Sequence, residues 1–167
     1  MKNKGSVPEI QGVDSQLYNK EYFESIDGAQ YFSEDRTAPK FIYAVKISGL
    51  TQGDSALDIG CGRGDLMMAL AKKGADVTGI DYSKDALEIA QKAIDKQPVE
   101  KRNKLKVLHS NATALNFSDQ TFDYIFMTDI VEHLYPSELQ RCFKECKRVL
   151  KPKGKLVIHT APNRWYN

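Results

Sequence analysis

The chain has 167 residues, 24 basic against 22 acidic side chains for a net charge of +2, and 41% hydrophobic residues. This fits one domain of ordinary globular composition, which excludes a disordered tail, a collagen-like fibre and a small disulfide scaffold. No apolar run nears the roughly 20 residues that cross a bilayer, no signal-peptide core opens the chain, and three cysteines cannot form a complete disulfide set, so a reducing, cytoplasmic setting without a membrane partner is expected.

Residues 1–16 are polar, with Gly5, Pro8 and Gly12, and read as a flexible N-terminal arm. Residues 17–50 interleave aromatic side chains with charges and read as short helices. Overlapping them, residues 14–36 hold six acids against Lys20 and Arg36. From 51 to 160, short β-type runs alternate with helical stretches, as in a nucleotide-binding core. Strands are predicted over 55–59, 76–80, 105–109, 122–127 and 155–160, and helices over 65–73, 83–96 and 137–150. Gly74 stops the first of these helices and Ser83 caps the second. The third shows Leu139, Phe143, Cys146, Val149 and Leu150 on one side. Residues 141–155 carry seven bases against Glu145, which read as a solvated face complementing the negative end of that helix. The alternation implies an α/β fold, a Rossmann-like doubly wound parallel sheet of about five strands with helices on both faces. Ligands then sit at the carboxyl ends of the strands.

The sharpest local signal is Ala56-Leu-Asp-Ile-Gly-Cys-Gly-Arg-Gly64, a strand entering a glycine loop that opens a helix. Such glycines permit positive φ and close backbone approach, and the helix N-terminus behind them favours an anionic group. The dinucleotide fingerprint needs glycine at its first, third and sixth positions. Here those are Gly60, Gly62 and Asp65, so a carboxylate stands where a pyrophosphate comes close. No Gly-Lys-Ser/Thr follows either, which excludes a phosphate loop. An adenosine ligand without a pyrophosphate remains. Twenty-one residues after Gly60, Val77-Thr-Gly-Ile-Asp81 ends a strand in an acid that can accept both ribose hydroxyls.

With these residues the sequence resembles the class I S-adenosylmethionine (SAM)-dependent methyltransferases, in their small-molecule, ubiquinone-biosynthesis-like branch. The resemblance runs from about Arg36 to Asn163. It includes Leu108-His-Ser-Asn-Ala-Thr-Ala-Leu-Asn-Phe117, Phe122-Asp-Tyr-Ile-Phe-Met-Thr-Asp-Ile-Val-Glu-His-Leu134 and Arg148-Val-Leu-Lys-Pro-Lys-Gly154. By resemblance, Asp58 belongs to the cofactor loop, Gly60, Cys61 and Gly62 line the methionine part, and Asp81 holds the ribose. Tyr82 lies near the adenine, and Asn111 stands where the family usually has an acid for the adenine amino group. Ala112 offers its backbone N–H to the ring, and the backbone near Thr128 meets the cofactor amino group. Arg36-Thr-Ala-Pro39 resembles an Arg-x-x-Pro element that binds the cofactor carboxylate.

Asp129, Glu132 and His133 have offsets of three and four, which place them on one face of a helical turn. In related O-methyltransferases such a group binds a divalent metal, whereas in metal-independent relatives Glu-His shapes the pocket or serves as a base. These three residues are the catalytic candidates, and no metal ligand is assigned. Cys142 and Cys146 read as core and not as zinc ligands. His159 falls inside the fifth strand and reads as a packed core histidine. Trp165 and Tyr166 are assigned either to a pocket cover or to a hydrophobic edge.

After the fifth strand only seven residues remain, whereas the resemblance implies a further helix and two strands. A truncated chain, or one whose exposed sheet edge is covered by a homodimer partner, is expected. The expected function is methyl transfer from SAM to a small-molecule acceptor, giving S-adenosylhomocysteine (SAH). The alternatives are an RNA 2′-O-methyltransferase using residues 141–155, although no nucleic-acid partner is expected, and a non-catalytic SAM-binding module. An NAD-dependent oxidoreductase ranks last.

Overall fold

A computed structural model describes residues 19–25 and 37–160. The expectations for the arm at 1–16 and for Arg36, Trp165 and Tyr166 lie outside the described residues.

In chain order the elements are α1 (Lys20–Ser25), α2 (Pro39–Ser48), β1 (Ser55–Ile59), α3 (Asp65–Lys72), β2 (Asp76–Asp81), α4 (Lys84–Asp95), α5 (Val99–Arg102), β3 (Leu105–His109), β4 (Phe122–Thr128), a 3-10 turn (Val131–His133), α6 (Pro136–Val149) and β5 (Leu150–His159). The five strands form one parallel sheet in the order β3-β2-β1-β4-β5. Chain order reverses at β1, so the crevice between β1 and β4 is the topological switch point where such sheets bind ligands.

The strands alternate their side chains between two cores, as the period of two requires. On one face Ala56, Val77, Phe126 and Val157 pack with Val45 of α2, with Leu66, Met67 and Leu70 of α3, and with Ile94 of α4. On the other face Leu57, Ile59, Ile80, Ile125 and Met127 pack against Cys142, Cys146 and Val149 of α6. The two cysteines are thus core, as expected, but Phe143 is more than a third exposed and turns away from that side.

Local signals set most boundaries. Ser83 caps α4 by accepting the Ala86 N–H, and Tyr135 N–H donates to Glu138 Oε2 at the start of α6, which also has Pro136 at its first position. Gly74, at φ 86°, ends the turn after α3.

The fifth strand differs from the expectation. It begins at Leu150, directly after α6, because Leu150 pairs with Phe122. The register then shifts so that Tyr124 faces Lys155. Residues 151–154 are taken up opposite Asp123, and Gly154 makes this tight corner. A Cβ there would lie 2.7 Å from the Leu150 side chain and 2.9 Å from the Asp123 carbonyl oxygen.

Candidate functional site

The glycine loop leaves β1 and folds back onto β2, with the N–H groups of Gly60 and Cys61 both donating to the Ile80 carbonyl oxygen at 2.8 and 2.9 Å. Gly60 and Gly62 have φ of 72° and 51°, the left-handed region that glycine enters without strain. A side chain at Gly60 would meet Ile130 Cδ1 at 2.8 Å. From beneath, the loop rests on Gly79 of β2, where a Cβ would lie 2.3 Å from Met67 Sδ and 2.9 Å from Cys61 Cβ. In the sequence Gly79 carries one signal only, a glycine inside a strand, which often marks close backbone approach.

Asp58, Asp65 and Asp81 surround this loop. Asp58 is fully buried, and its Oδ1 has no hydrogen-bond partner among the described residues. Burial pushes its carboxyl well above the usual range, and the nearby Asp81 and Asp65 push it further. An unpaired buried acceptor of this kind is costly and needs a reason. Asp81 accepts the Gly62 N–H on Oδ2 at 2.9 Å and the Ser83 N–H on Oδ1 at 2.8 Å. Burial raises its carboxyl too, against the pull of those bonds. Each of its oxygens keeps one further acceptor position.

Asp65 has a second role that spacing alone did not show. It pairs with Arg63 at 3.2 Å, and both side chains are almost fully buried. Arg63 Nη1 also donates to the Phe23 carbonyl oxygen at 2.7 Å. This arginine therefore fastens α1 over the loop, and the Phe23 ring lies 3.4 Å from where a Gly62 Cβ would be.

Beyond Asp81, Tyr82 is exposed, and its carbonyl oxygen accepts from His109 Nε2 at 3.0 Å. Asn111 is exposed, with Oδ1 accepting from both the N–H and the hydroxyl of Thr113 at 2.8 and 3.0 Å. This is a local Asx turn. Ala112 beside it is buried. Thr128 ends β4, in register with His159.

The group at Asp129, Glu132 and His133 is not arranged on one helical face. The 3-10 turn begins only at Val131, and Asp129 stands before it in a left-handed conformation, φ 56°. Asp129 instead faces Lys40 of α2 and His159 of β5. Lys40 Nζ donates to Oδ2, and His159 Nδ1 lies 2.8 Å from Oδ1. Burial alone would raise its carboxyl, but the bonds from Lys40 and His159 outweigh burial and hold it below the usual range. Glu132 Oε2 accepts the Thr160 hydroxyl at 2.8 Å. His159 is therefore not a packed core residue, since its side chain is 40% exposed and bound to Asp129. Among the described residues no three His, Cys, Asp or Glu side chains are grouped to hold a metal ion.

Much of the basic segment is engaged in the fold. Arg148 pairs with Glu145 and Asp119 and donates to the carbonyl oxygens of Leu115 and Phe117, which pins the loop before β4. Lys151 pairs with Asp123, and Lys155 donates to the Ser48 carbonyl oxygen.

Comparison with known proteins agrees with this geometry. The family described as Methyltransferase domain matches residues 57–158, from β1 to β5. Demethylmenaquinone methyltransferase of Staphylococcus aureus (strain JH9) is 30% identical over 158 residues, covering 93% of this chain and 61% of that protein. This chain thus spans about three fifths of the length of the curated relatives it matches. The crystal structure of a SAM-dependent methyltransferase from Methanosarcina mazei is 34% identical with a TM-score of 0.66, covering 74% of this chain and 59% of that one. A putative SAM-dependent methyltransferase from Methanococcus maripaludis, 23% identical, shares the fold with a TM-score of 0.69 over 89% of this chain and 66% of that one. The family match takes in well over half of the chain, the glycine loop and the acid of β2 included, and the chain belongs to the class I SAM-dependent methyltransferases.

Proposed function

We propose that this chain binds SAM at the carboxyl ends of β1 and β2 and transfers its methyl group to a small-molecule acceptor. The arrangement of Asp81 carries the reading. Its carboxylate is fixed by two backbone N–H groups, almost fully buried, and still able to accept from two ribose hydroxyls. The site also fits the other end of that ligand. The unpaired Oδ1 of Asp58 is an acceptor left for a cationic or N–H-bearing group, and Gly60 and Gly62 leave the backbone bare.

In this reading Gly60, Cys61 and Gly62 line the methionine part, and Tyr82 and the Ala112 N–H bound the adenine. Asn111 Oδ1 takes the adenine amino group in exchange for the Thr113 hydroxyl. The backbone at Thr128 receives the amino group of the ligand, and Arg36 its carboxylate. Bound SAM supplies a methyl group already activated by its sulfonium. The residues of the chain therefore act chiefly by alignment, which contributes roughly 7–11 kcal/mol in well-oriented reactions. No described helix is long and apolar enough to cross a membrane, and three free, buried cysteines support a reducing cytoplasm. The outer edge of β5 carries an exposed Ile158, which supports pairing with a second copy of the chain in a homodimer.

Calorimetry with SAH and NAD, followed by transfer of isotope-labelled methyl from SAM to a panel of acceptors, tests the function. SAH binding in preference to NAD, with label in a small acceptor, is the expected result. NAD binding the tighter overturns it.

A further inference from the structure

We infer that His159, oriented by Asp129, is the proton acceptor for the methyl acceptor, and that this acceptor carries an ionisable hydroxyl. The inference rests on the methyl-transfer reading of the site. His159 is the last residue of β5, and β4 alone separates it from the end of β1 that carries the glycine loop. Two strand spacings amount to about 10 Å, the span of a single acceptor ring with its substituents.

Its orientation is fixed from two sides. The Asp129 N–H donates to the His159 carbonyl oxygen at 2.8 Å, while the Asp129 carboxylate holds Nδ1 at 2.8 Å. Both contacts are made from the left-handed conformation of Asp129, which an aspartate tolerates at modest cost. Lys40 takes the other carboxylate oxygen and keeps it ionised. A carboxylate can only accept, so Nδ1 carries the ring proton and Nε2 presents a lone pair. Nε2 has no hydrogen bond among the described residues, and the ring is 40% exposed. Asp129 is the ionisable group bound to the ring, Lys40 of α2 holds the other oxygen of that carboxylate, and Glu132 of the 3-10 turn accepts the hydroxyl of Thr160, the next residue after His159. Burial raises the Tyr22 hydroxyl of α1 above its ordinary range, and Asp129, Glu132 and Asp81 raise it further against the opposing charge of Lys40.

In the step, the acceptor O–H bond breaks and its proton passes to Nε2. The electron pair left on oxygen forms the bond to the methyl carbon. The pair of the methyl–sulfur bond stays on sulfur. The imidazolium, stabilised by Asp129, returns its proton to water through the exposed ring edge. An amine acceptor needs no such base, since its own lone pair attacks.

Three measurements test this. Imidazole ¹⁵N spectra of the protein with SAH should show His159 as the Nδ1–H tautomer, and Asp129→Asn should abolish that preference. An Nε2–H tautomer in the wild type overturns the inference with no acceptor present. SAH binding to His159→Gln should stay within about threefold of wild type by calorimetry. Loss of SAH binding in the wild type itself would instead defeat the underlying methyl-transfer reading. With 1,4-naphthoquinol and catechol as hydroxyl probes and aniline as the amine probe, His159→Gln should lose about 10²- to 10⁴-fold in transfer to the hydroxyl probes, together with the rising limb of the pH–rate profile. An unchanged rate and profile in the variant overturns the base. Transfer to aniline alone, or to neither class by a chain that binds SAH, overturns the hydroxyl acceptor.

Discussion

Gly62 donates its backbone N–H to Asp81 Oδ2 across 2.9 Å, so the loop leaving β1 is fastened to the acid that ends β2. The two halves of the proposed cofactor site are therefore a single hydrogen-bonded unit. Asp81→Asn keeps the shape but has only one accepting atom, so it should lose a ribose contact and loosen the loop together. A hydrogen bond to a charged group contributes about 1.5–3 kcal/mol, which corresponds to a loss of about 10- to 100-fold in SAH affinity by calorimetry. Affinity unchanged in a normally folded variant would remove Asp81 from the site.

Gly79 supports the same unit from below. An alanine there would place its Cβ 2.3 Å from Met67 Sδ and 2.9 Å from Cys61 Cβ, and Cys61 belongs to the loop. Gly79→Ala should cost about 1–3 kcal/mol by overpacking and should weaken SAH binding by displacing the loop. Gly53→Ala is the control. It also disturbs a glycine, here at φ 87°, but nothing lies within 4 Å of the added carbon. It should cost about 1–2 kcal/mol through backbone strain alone and leave SAH binding unchanged. Urea unfolding and calorimetry on both variants separate the two effects.

The glycine loop and Asp81 were legible in the sequence because their signals are local, resting on glycine spacing, a buried strand and an acid at its end. The partners of Asp129 were not legible. Lys40 lies 89 residues before it and His159 lies 30 after it, and only the crossover connections bring the three together. Offsets of three and four implied a shared face for Asp129, Glu132 and His133 only if the chain were helical from 129. The bond from the Asp129 N–H to the His159 carbonyl oxygen instead continues the sheet by one residue. The start of β5 was misplaced for a related reason. Lys151-Pro152-Lys153-Gly154 reads as a turn, but pairing of Leu150 with Phe122 places the strand start ahead of it.

Arg63 connects α1 to the loop, and its loss should uncouple them. It is buried with Asp65 and donates to the Phe23 carbonyl oxygen, so Arg63→Met leaves a buried carboxylate without its cation. Breaking one side of a buried pair costs about 3–5 kcal/mol. Arg63→Met/Asp65→Leu should recover part of that loss, because it removes the stranded charge. The double variant still lacks the bond to Phe23, so hydrogen exchange at α1 should stay fast while the core regains its protection.

Asp123 gives a pH dependence whose sign can be stated in advance. It accepts the Ser55 N–H at 2.9 Å, the Ser55 hydroxyl at 2.7 Å and Lys151 at 2.8 Å, which ties the starts of β1 and β4 to the corner at 151–154. Burial raises its carboxyl slightly, but the bonds from Lys151 and Ser55 outweigh this and hold it down at about 2. A carboxyl lowered by folding adds stability above its unfolded value of about 4, and that stability disappears as pH falls through the folded value. The Lys151 side chain is 41% exposed, so solvent screening reduces the contribution to about 1 kcal/mol. Asp123→Asn should therefore be less stable than wild type by about 1 kcal/mol at pH 6, with the gap closing between pH 4 and pH 2. Asp58 and Asp81, which folding raises, act in the opposite direction, but they are common to both proteins and cancel in the difference. Chemical denaturation of the pair across that range measures the gap directly, and a gap that widened toward pH 2 would reverse the assignment.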